Sequence, residues 1–399
     1  MNQKRIERIL AEVRSAGADA FLVFNHELSG QPGTKYLSGF SGTESVLLIA
    51  EKGKFIPLEA ERPEIFTTRT NSRFHAVNTK ADIAHKLLTG FIFTDGRYFS
   101  QTKEECPDFE LVPTGRSLFW EELEKICRKL DLKKIVFDSA RTNYGQISRF
   151  KEKMGNVSMA GIENILQKIR IVKDEAELEQ IQKAVSISTK SFNELLPFIK
   201  EGATENELSW KLETLMRENG AEKISFELIV ASGPNGAKPH AKTSDRKIEK
   251  GELVTFDFGC SFNGYVSDVA RTVAVGQVSD KLKEIYETVK TAQELGCKAV
   301  KAGISGSEID KICRDHISGR GYGEYFLHGT GHGVGMEVHE LPYVSASNKE
   351  PLPENSVITV EPGIYIDGVG GARIEDTIVV KKDGSISMSG GFSKELIVL

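Results

Sequence analysis

Four carboxylates toward the C-terminal end occupy matched positions, and their types and spacing suggest a metal centre. Asp257 is followed eleven residues later by Asp268, and Glu361 is followed fourteen residues later by Glu375. Asp257 and Glu361 interrupt apolar runs, where an uncompensated charge would be costly to bury. One such acid alone is more often the solvent-facing member of an alternating strand. Four acids brought together by the fold would repel one another and need a shared cation.

A glycine-rich run between the two acid pairs adds histidines. His328, His332 and His339 lie within twelve residues, interleaved with glycines at 329, 331, 333 and 335. The spacing of His328 and His332 matches a helical zinc motif, but the glycines disfavour a helix and no Glu follows His328. A nucleotide-binding glycine loop is the other candidate, and the spacing matches neither GxGxxG nor GxxxxGK[ST]. We therefore expect a loop or strand whose backbone passes close to a ligand.

Four carboxylates and one imidazole form the ligand set of an oxygen-rich centre for two divalent metal ions. Such hard donors favour Mn²⁺, with Co²⁺, Zn²⁺ or Fe²⁺ as alternatives. Two ions would balance the four negative charges, lower the pKa of a bridging water and polarise a carbonyl group under attack. The expected chemistry is hydrolysis of an amide or ester, because the cysteines are scattered and no GxSxG motif is present.

The composition places these residues in an ordinary globular protein. The chain has 399 residues, 39% of them apolar and 27% charged, and this length suffices for two or three domains. A formal net charge of −5 argues against a nucleic-acid partner, which usually requires a basic surface. Five cysteines without a CxxC pair fit a reducing compartment, and no apolar run approaches the ~18 residues that span a bilayer. We therefore expect a cytoplasmic protein that does not associate with membranes.

The elements that position these residues follow from hydrophobic periodicity and helix caps. The first part alternates helical and extended patterns, as in an α/β domain, until a polar, glycine-containing stretch near 155–161. We place the domain boundary there, with one domain at 1–160 and a second at 161–399. In the second domain, capping boxes predict helices that begin after Asp174, Thr204 and Ser305.

The second domain contains an internal duplication. Thr204 and Ser305 are 101 residues apart, and each half contains two predicted helices followed by extended segments. The extended segments are predicted at 224–231, 253–258, 272–275, 357–360 and 377–380. A duplicated helix–helix–strand–strand unit indicates an α+β fold, with a curved antiparallel sheet backed by four helices. Ligand sites would then lie in the cleft between the halves.

These motifs resemble those of the Xaa-Pro peptidases, the aminopeptidase P and prolidase family with the pita-bread catalytic fold. In the C-terminal domain the resemblance rests on the runs Ile169–Glu175, Ser232–His240, Phe256–Gly259, Asp268–Thr272, His328–His339, Glu361–Tyr365 and Arg373–Thr377. The N-terminal domain is similar to creatinase-type domains through Tyr36–Gly42 and Thr94–Phe99. All five metal-ligand positions of the family carry the expected residue type.

The resemblance implies how the metal ions are held. Asp257 would bind one ion, and Asp268 and Glu375 would bridge both. His332 and Glu361 would complete the coordination of the second ion.

The same resemblance implies catalytic roles around the ions. Glu361 would also carry a proton between the attacking water and the leaving nitrogen. His240 and His339 would contact the substrate backbone and stabilise the developing oxyanion. His328 would form part of the wall for the proline ring. Arg373 would either form an ion pair with a ligand acid or bind a substrate carboxylate.

The implied activity is that of a dinuclear metal-dependent exopeptidase, which cleaves the Xaa-Pro bond at the N-terminus of peptides through a metal-bridging hydroxide. A dipeptide-only prolidase stays open, because loop geometry decides whether longer peptides enter. The N-terminal domain and Arg373 disfavour a methionine aminopeptidase. The complete ligand set disfavours a catalytically silent binding protein and a metal-independent creatinase type. The resemblance also implies a homodimer.

One segment departs from the family pattern. Residues from roughly 57 to 92 separate two strands that the family connects almost directly. Alternating apolar residues near 65 and 74–77 and a helical pattern near 82–88 predict an extra strand and helix. This apparent insertion could lengthen the sheet, reach a second subunit or overhang the cleft.

Overall fold

The chain folds into two compact units, Met1–Ile169 and Arg170–Leu399. The computed structural model describes residues 2–26, 32–50, 90–115 and 118–399. The strands of the first unit are β1 (Ala20–Asn25), β2 (Ser45–Ala50), β3 (Gly90–Thr94), β4 (Phe109–Pro113), β5 (Lys134–Asp138) and β6 (Ser158–Ile162). Its helices are α1 (Asn2–Ser15), α2 (Pro32–Ser38), α3 (Phe99–Glu105), α4 (Phe119–Lys129) and α5 (Tyr144–Lys153), and α6 (Ile165–Arg170) ends at the boundary.

The first unit is built around a mixed six-stranded sheet with the order β4-β3-β2-β1-β5-β6. The central strand β1 is antiparallel to β2 and parallel to β5, and every residue of β1 and β2 is buried. Burial on both faces explains why these strands read as continuous apolar runs. The expected α/β architecture is confirmed. Strand β6 completes the sheet by pairing with β5, so part of the polar stretch near 155–161 belongs to the sheet.

The predicted excursion near 57–92 falls largely outside the described residues. Only its end is described, as part of β3 (Gly90–Thr94), which pairs antiparallel with β2 and parallel with β4.

The second unit contains four long helices and thirteen strands among its described residues. The helices are α7 (Glu175–Leu195), α8 (Glu205–Glu218), α9 (Asp280–Ala299) and α10 (Gly306–Gly319). The strands of the first half are β7 (Lys223–Ile224), β8 (Ile229–Ser232), β9 (Glu252–Phe258), β10 (Cys260–Phe262), β11 (Tyr265–Val266) and β12 (Val269–Val275). Those of the second half are β13 (Gly331–Gly333), β14 (Glu340–Val344), β15 (Val357–Val360), β16 (Gly363–Ile366), β17 (Gly370–Arg373), β18 (Asp376–Lys381) and β19 (Gly384–Ser387).

Three helices begin where the capping boxes predict. The side chains of Asp174, Thr204 and Ser305 each accept a hydrogen bond from the backbone N–H three residues on, and the Glu at that position closes the box. These contacts satisfy two of the backbone donors that a helix start leaves without partners. The predicted starts of α7, α8 and α10 are therefore confirmed.

Antiparallel ladders connect the strands of the second unit. The two main ladders have the orders β12-β9-β8 and β14-β13-β15-β18-β19, one from each half. Helices α7 and α8 contact strands of the first half, whereas α9 and α10 contact strands of the second. The expected α+β architecture of a repeated unit is confirmed. The extended segment at 224–231 is two strands, because β7 pairs with β10 and β8 pairs with β9.

No helix in the described ranges combines the length and apolar character required to cross a bilayer.

Candidate metal centre

Two neighbouring strands and an isolated β-bridge bring acids together around one small residue. Ala270 on β12 pairs with Asp257 on β9 and, through an isolated bridge, with Glu375. Residues opposite one another on antiparallel strands share a sheet face, and Asp268 lies two residues before Ala270, which places it on that face as well. Acids that are more than one hundred residues apart in sequence therefore meet at a single point of the sheet.

The other two ligand candidates come from the second ladder. His332 is the middle residue of β13, and Glu361 directly follows β15. The backbone N–H of Glu361 donates to the Thr330 carbonyl at 2.7 Å, and that of His332 donates to Thr359 Oγ1 at 3.1 Å. A Cβ atom on Gly331 would lie 2.1 Å from the Thr359 carbonyl oxygen, so only glycine allows this approach. The glycine run forms a strand and loop, as expected, and not a helix.

The ligand atoms converge. Asp268, His332 and Glu375 are all buried, and one potential ligand atom from each lies within 4.8 Å of the others. Nε2 of His332 is 3.6 Å from Asp268 Oδ2 and 3.3 Å from Glu361 Oε1. Nδ1 of His332 is 3.1 Å from the Gly333 carbonyl oxygen. This contact favours a proton on Nδ1 and leaves Nε2 free to bind a metal ion.

Buried oxygen atoms without partners test whether these residues fit a metal ion. Both carboxylate oxygens of Glu375 and Oδ1 of Asp257 are buried, and no described residue gives them a hydrogen bond. Burial raises the pKa of Glu375 and of Asp268 well above the usual range, and the neighbouring acids raise it further. Divalent cations would satisfy these oxygen atoms and remove the repulsion. The residues present therefore fit a metal centre.

The imidazole and the nearest acid form an ion pair. Burial opposes the charge on each, but the hydrogen bond between His332 and Glu361 outweighs it. This contact raises the pKa of His332 to about 9 and lowers that of Glu361 to about 2. The charged imidazole therefore supplies the positive charge among the acids. A bound metal ion would supply this charge instead, and His332 would then be neutral.

Arg373 contacts the acid cluster from β17. Its Nη2 donates to Asp257 Oδ2 at 2.5 Å, and its Nη1 donates to the Tyr365 hydroxyl at 2.7 Å and to the Pro239 carbonyl at 3.0 Å. Arg373 is 3% exposed, so its charge has little water around it. Of the two roles left open for Arg373, this geometry supports the ion pair with a ligand acid. That acid is Asp257, although Glu375 is the nearer one in sequence.

Three further histidines face the same space. A cavity of about 430 Å³, called here the central cavity, is lined by Asp257, Asp268, His332, Glu361, Arg373, His240, His328 and His339, among others. The ring centroids of His339 and His332 are 4.2 Å apart, and Nε2 of His328 is 2.9 Å from the Tyr365 hydroxyl. Burial lowers the pKa of His328 and of His339. Both rings are therefore neutral at pH 7, and each can donate one N–H.

A buried ion-pair network holds the loop that carries His339. Glu340 Oε1 accepts hydrogen bonds from the backbone N–H of Met336 at 2.9 Å and of Glu337 at 3.0 Å. Arg170 and Lys173 lie 2.6 and 3.4 Å from its carboxylate oxygens. Burial alone would raise the pKa of Glu340, but these cations lower it below the usual value. The carboxylate is therefore charged at neutral pH and fixes the backbone just before His339.

Several residues at the site were given no role by the sequence analysis. The buried Tyr365 connects His328 with Arg373 behind the cavity wall, and Phe226, Val338 and Tyr343 add apolar surface to the central cavity. Tyr365 lies in the run that begins at Glu361, and this position was the only available signal for it. Val338 likewise lies in the run His328–His339, whereas Phe226 and Tyr343 carry no signal, because nothing distinguishes them from core residues until the fold is known.

Comparisons with known proteins show the family to which this chain belongs. The model of metallopeptidase family M24 matches residues 179–382, and the model of the creatinase/prolidase N-terminal domain matches residues 83–172. The Xaa-Pro dipeptidase of Pyrococcus furiosus is 39% identical over 301 residues, which cover 74% of this chain and 86% of that protein.

Solved structures of similar proteins share the fold of this chain. An Xaa-Pro dipeptidase from Bacillus anthracis superposes with a TM-score of 0.87 at 36% identity, covering 100% of both chains. An X-Pro aminopeptidase from Thermotoga maritima superposes with a TM-score of 0.83 at 36% identity, covering 98% of this chain and 100% of the other. With its converging acids and histidines and its two matched domains, the chain belongs to metallopeptidase family M24 and carries a creatinase/prolidase N-terminal domain.

Proposed function

We propose that this protein is an exopeptidase that hydrolyses the bond between an N-terminal residue and a following proline, using two divalent metal ions. The observation that carries the proposal is the pair of buried Glu375 oxygen atoms, which lie beside Asp268 and His332 and receive no hydrogen bond from any described residue. The activities named for the similar dipeptidases and aminopeptidase support the choice of substrate.

The five converging residues would hold the ions. They are Asp257, Asp268, His332, Glu361 and Glu375. An oxygen-rich set favours Mn²⁺, with Co²⁺, Zn²⁺ or Fe²⁺ as alternatives. When bound, the ions would lower the pKa of a water molecule and polarise the scissile carbonyl.

The remaining residues of the central cavity act on the substrate and on protons. Glu361 takes the proton of the attacking water and passes it to the leaving proline nitrogen. His240 and His339 donate N–H groups to the substrate backbone and to the developing oxyanion. His328, held by the Tyr365 hydroxyl, forms part of the wall for the proline ring. Arg373 keeps the carboxylate of Asp257 in place through its ion pair.

A substrate panel tests this proposal. Xaa-Pro dipeptides, Xaa-Pro-Yaa tripeptides and matched peptides without proline are incubated with the protein and Mn²⁺, Co²⁺ or Zn²⁺. We expect cleavage only where proline is the second residue. Cleavage of the tripeptides would identify an aminopeptidase, and cleavage of the dipeptides alone a dipeptidase. Equal rates on peptides without proline would contradict the proposal, and so would the absence of hydrolysis with every metal.

His339 should contribute to the chemical step without binding a metal ion. We expect the change His339→Ala to lower kcat roughly 10²- to 10³-fold, the usual effect of removing one oxyanion donor, with little change in KM or metal content. Steady-state kinetics and elemental analysis of the purified variant measure these quantities. His316→Ala is the matched control, since His316 lies in the last turn of α10 and does not line the central cavity. An unchanged kcat for His339→Ala would contradict this role.

The homodimer remains a prediction. Size-exclusion chromatography with light scattering determines whether the chain is a dimer in solution.

A further inference from the structure

Glu205 is a fully buried acid at the start of α8, outside the metal centre. Its relative exposure is 0%, and its two carboxylate oxygens accept five hydrogen bonds. Oε1 accepts from the backbone N–H and the hydroxyl of Ser232, both at 2.8 Å. Oε2 accepts from Asn235 Nδ2 at 2.9 Å and from the backbone N–H and hydroxyl of Ser244 at 3.1 and 2.7 Å.

The five donors belong to both ends of one loop. Ser232 is the last residue of β8, and Ser244 lies twelve residues later. The Asn235 side chain also donates to the Lys242 carbonyl at 3.1 Å, which ties the two sides of the loop together. One carboxylate therefore closes the base of this loop, called here the 232–244 loop.

The 232–244 loop carries His240 into the central cavity. No described residue makes a hydrogen bond with the His240 ring, so the ring position depends on the backbone around it. On the cavity side, Arg373 Nη1 donates to the carbonyl of Pro239, directly before His240, at 3.0 Å. The loop is thus fixed at its tip by a residue of the site and at its base by Glu205.

The chemistry of the Glu205 contacts distinguishes them from an ordinary buried ion pair. All five donors are neutral, whereas Glu340 is paired with two cations. Burying a carboxylate without a directly paired cation is costly, and the five hydrogen bonds and the N-terminal end of α8 compensate for that cost. The Arg246 guanidinium adds to this compensation from one hydrogen bond away, since it donates to Ser232 Oγ at 2.7 Å. A neutral glutamine side chain has a similar shape but only one acceptor oxygen, so it could not accept all five hydrogen bonds. The loop geometry therefore depends on the carboxylate.

We infer that Glu205 is a positioning residue that holds the 232–244 loop so that His240 reaches the substrate. This inference rests on the proposed role of His240 in hydrolysis. Glu205 does not touch substrate or metal, so its removal should affect the transition state through His240 and leave the metal centre intact.

The test uses Glu205→Gln, which keeps the side-chain length. Its amide NH₂ would face donors that it cannot satisfy, such as the Ser244 N–H, so the loop should shift. We expect kcat for an Xaa-Pro substrate to fall roughly ten- to hundredfold, since small misplacements of a catalytic group have effects of this size. The KM and the metal content should change little. Glu207→Gln is the matched control, because Glu207 is in the same helical turn but only closes the capping box of α8.

A double-mutant cycle shows whether the effect passes through His240. In a His240→Ala background, Glu205→Gln should cause little further loss, because the group that it positions is absent. If both single variants lose activity and their effects multiply, Glu205 acts independently of His240 and the inference is wrong. If His240→Ala has no effect, the proposed role of His240 fails instead. If only Glu205→Gln is without effect, the positioning inference alone fails.

A second variant covers the case in which Glu205→Gln does not fold. Asn235→Ala removes the side chain that donates both to Glu205 and to the Lys242 carbonyl, and leaves the acid with its Ser232 and Ser244 donors. We expect a smaller fall in kcat, in the same direction and again absent in the His240→Ala background. A folded Asn235→Ala protein with wild-type kcat would overturn the inference.

Discussion

The change Glu375→Gln should abolish metal retention and Xaa-Pro hydrolysis together, with a loss of at least roughly 10³-fold in kcat/KM. Glu375 offers two buried oxygen atoms that no described residue satisfies, next to Asp268 and His332. Glutamine keeps the size of the side chain but removes the charge and one acceptor oxygen, so it cannot bridge two cations. Metal content per chain and kcat/KM with excess Mn²⁺ measure the two effects.

Melting temperatures show whether Glu375→Gln loses activity because it lacks metal ions or because it is unfolded. The pKa of Glu375 is raised by burial and by neighbouring acids, so without metal its charge destabilises the fold. The Glu375→Gln protein in chelator should therefore melt at the same temperature as the chelated wild type or higher. Asp367→Asn is the matched control, because Asp367 is exposed in the turn between β16 and β17. Wild-type hydrolysis by Glu375→Gln, or by Asp268→Ala, would contradict the proposed ligand set.

Removal of the metal ions should lower the melting temperature at neutral pH by on the order of 10 °C. A ligand present at one thousand times its Kd stabilises the folded state by about 4 kcal/mol, and the loss of that term shifts the melting temperature accordingly. Chelation also leaves the acids of the cluster facing one another. Scanning calorimetry with excess Mn²⁺ and with chelator measures the difference. Identical melting temperatures in the two conditions would mean that the acids bind no metal ion.

The stability of the chelated protein should decrease as the pH rises from acidic to neutral. Burial raises the pKa of Asp268 and of Glu375 above their unfolded values, so the folded state binds these protons more tightly. Their destabilising effect is absent below pH about 4 and grows as the pH rises from there toward the raised pKa values. The His332 pKa of about 9 acts in the same direction, since its stabilising charge is lost as the pH rises through that value.

The lowered pKa values of His328 and His339 act in the opposite direction, because burial disfavours their protonated forms. The larger shifts of the two acids and of His332 outweigh them, so the chelated protein should melt at a higher temperature at pH 5.5 than at pH 7.5. Glu361 does not change this comparison, because its pKa of about 2 keeps it charged at both pH values. The metal-loaded protein should behave in the opposite way, since protons compete with metal for the ligands. The difference in melting temperature between the metal-loaded and the chelated protein should therefore become smaller as the pH falls. A chelated protein that loses stability between pH 7.5 and 5.5 would contradict the clustering of the acids.

The local sequence determined the helices and the ligand types. The capping boxes at Asp174, Thr204 and Ser305 predict where three helices begin, because the cap contacts span only three residues. The glycines around His332 predict a strand or loop, because four glycines in seven residues disfavour a helix. The matched acids predict a metal centre, because clustered carboxylates need cations. The cap and glycine inferences depend on residues that are close together in the chain, whereas the acids are recognised by their residue types and matched spacing in the two halves.

Only the tertiary structure decided which side chains meet. The pairing of Ala270 with both Asp257 and Glu375 depends on strand register, and that register is set by residues far apart in sequence. Arg373 therefore contacts Asp257 on a neighbouring strand and not Glu375, two residues away. Glu205 carries no signal in the sequence beyond that of an acid in a first helical turn. Its function becomes visible only when the fold brings both ends of the 232–244 loop to its carboxylate.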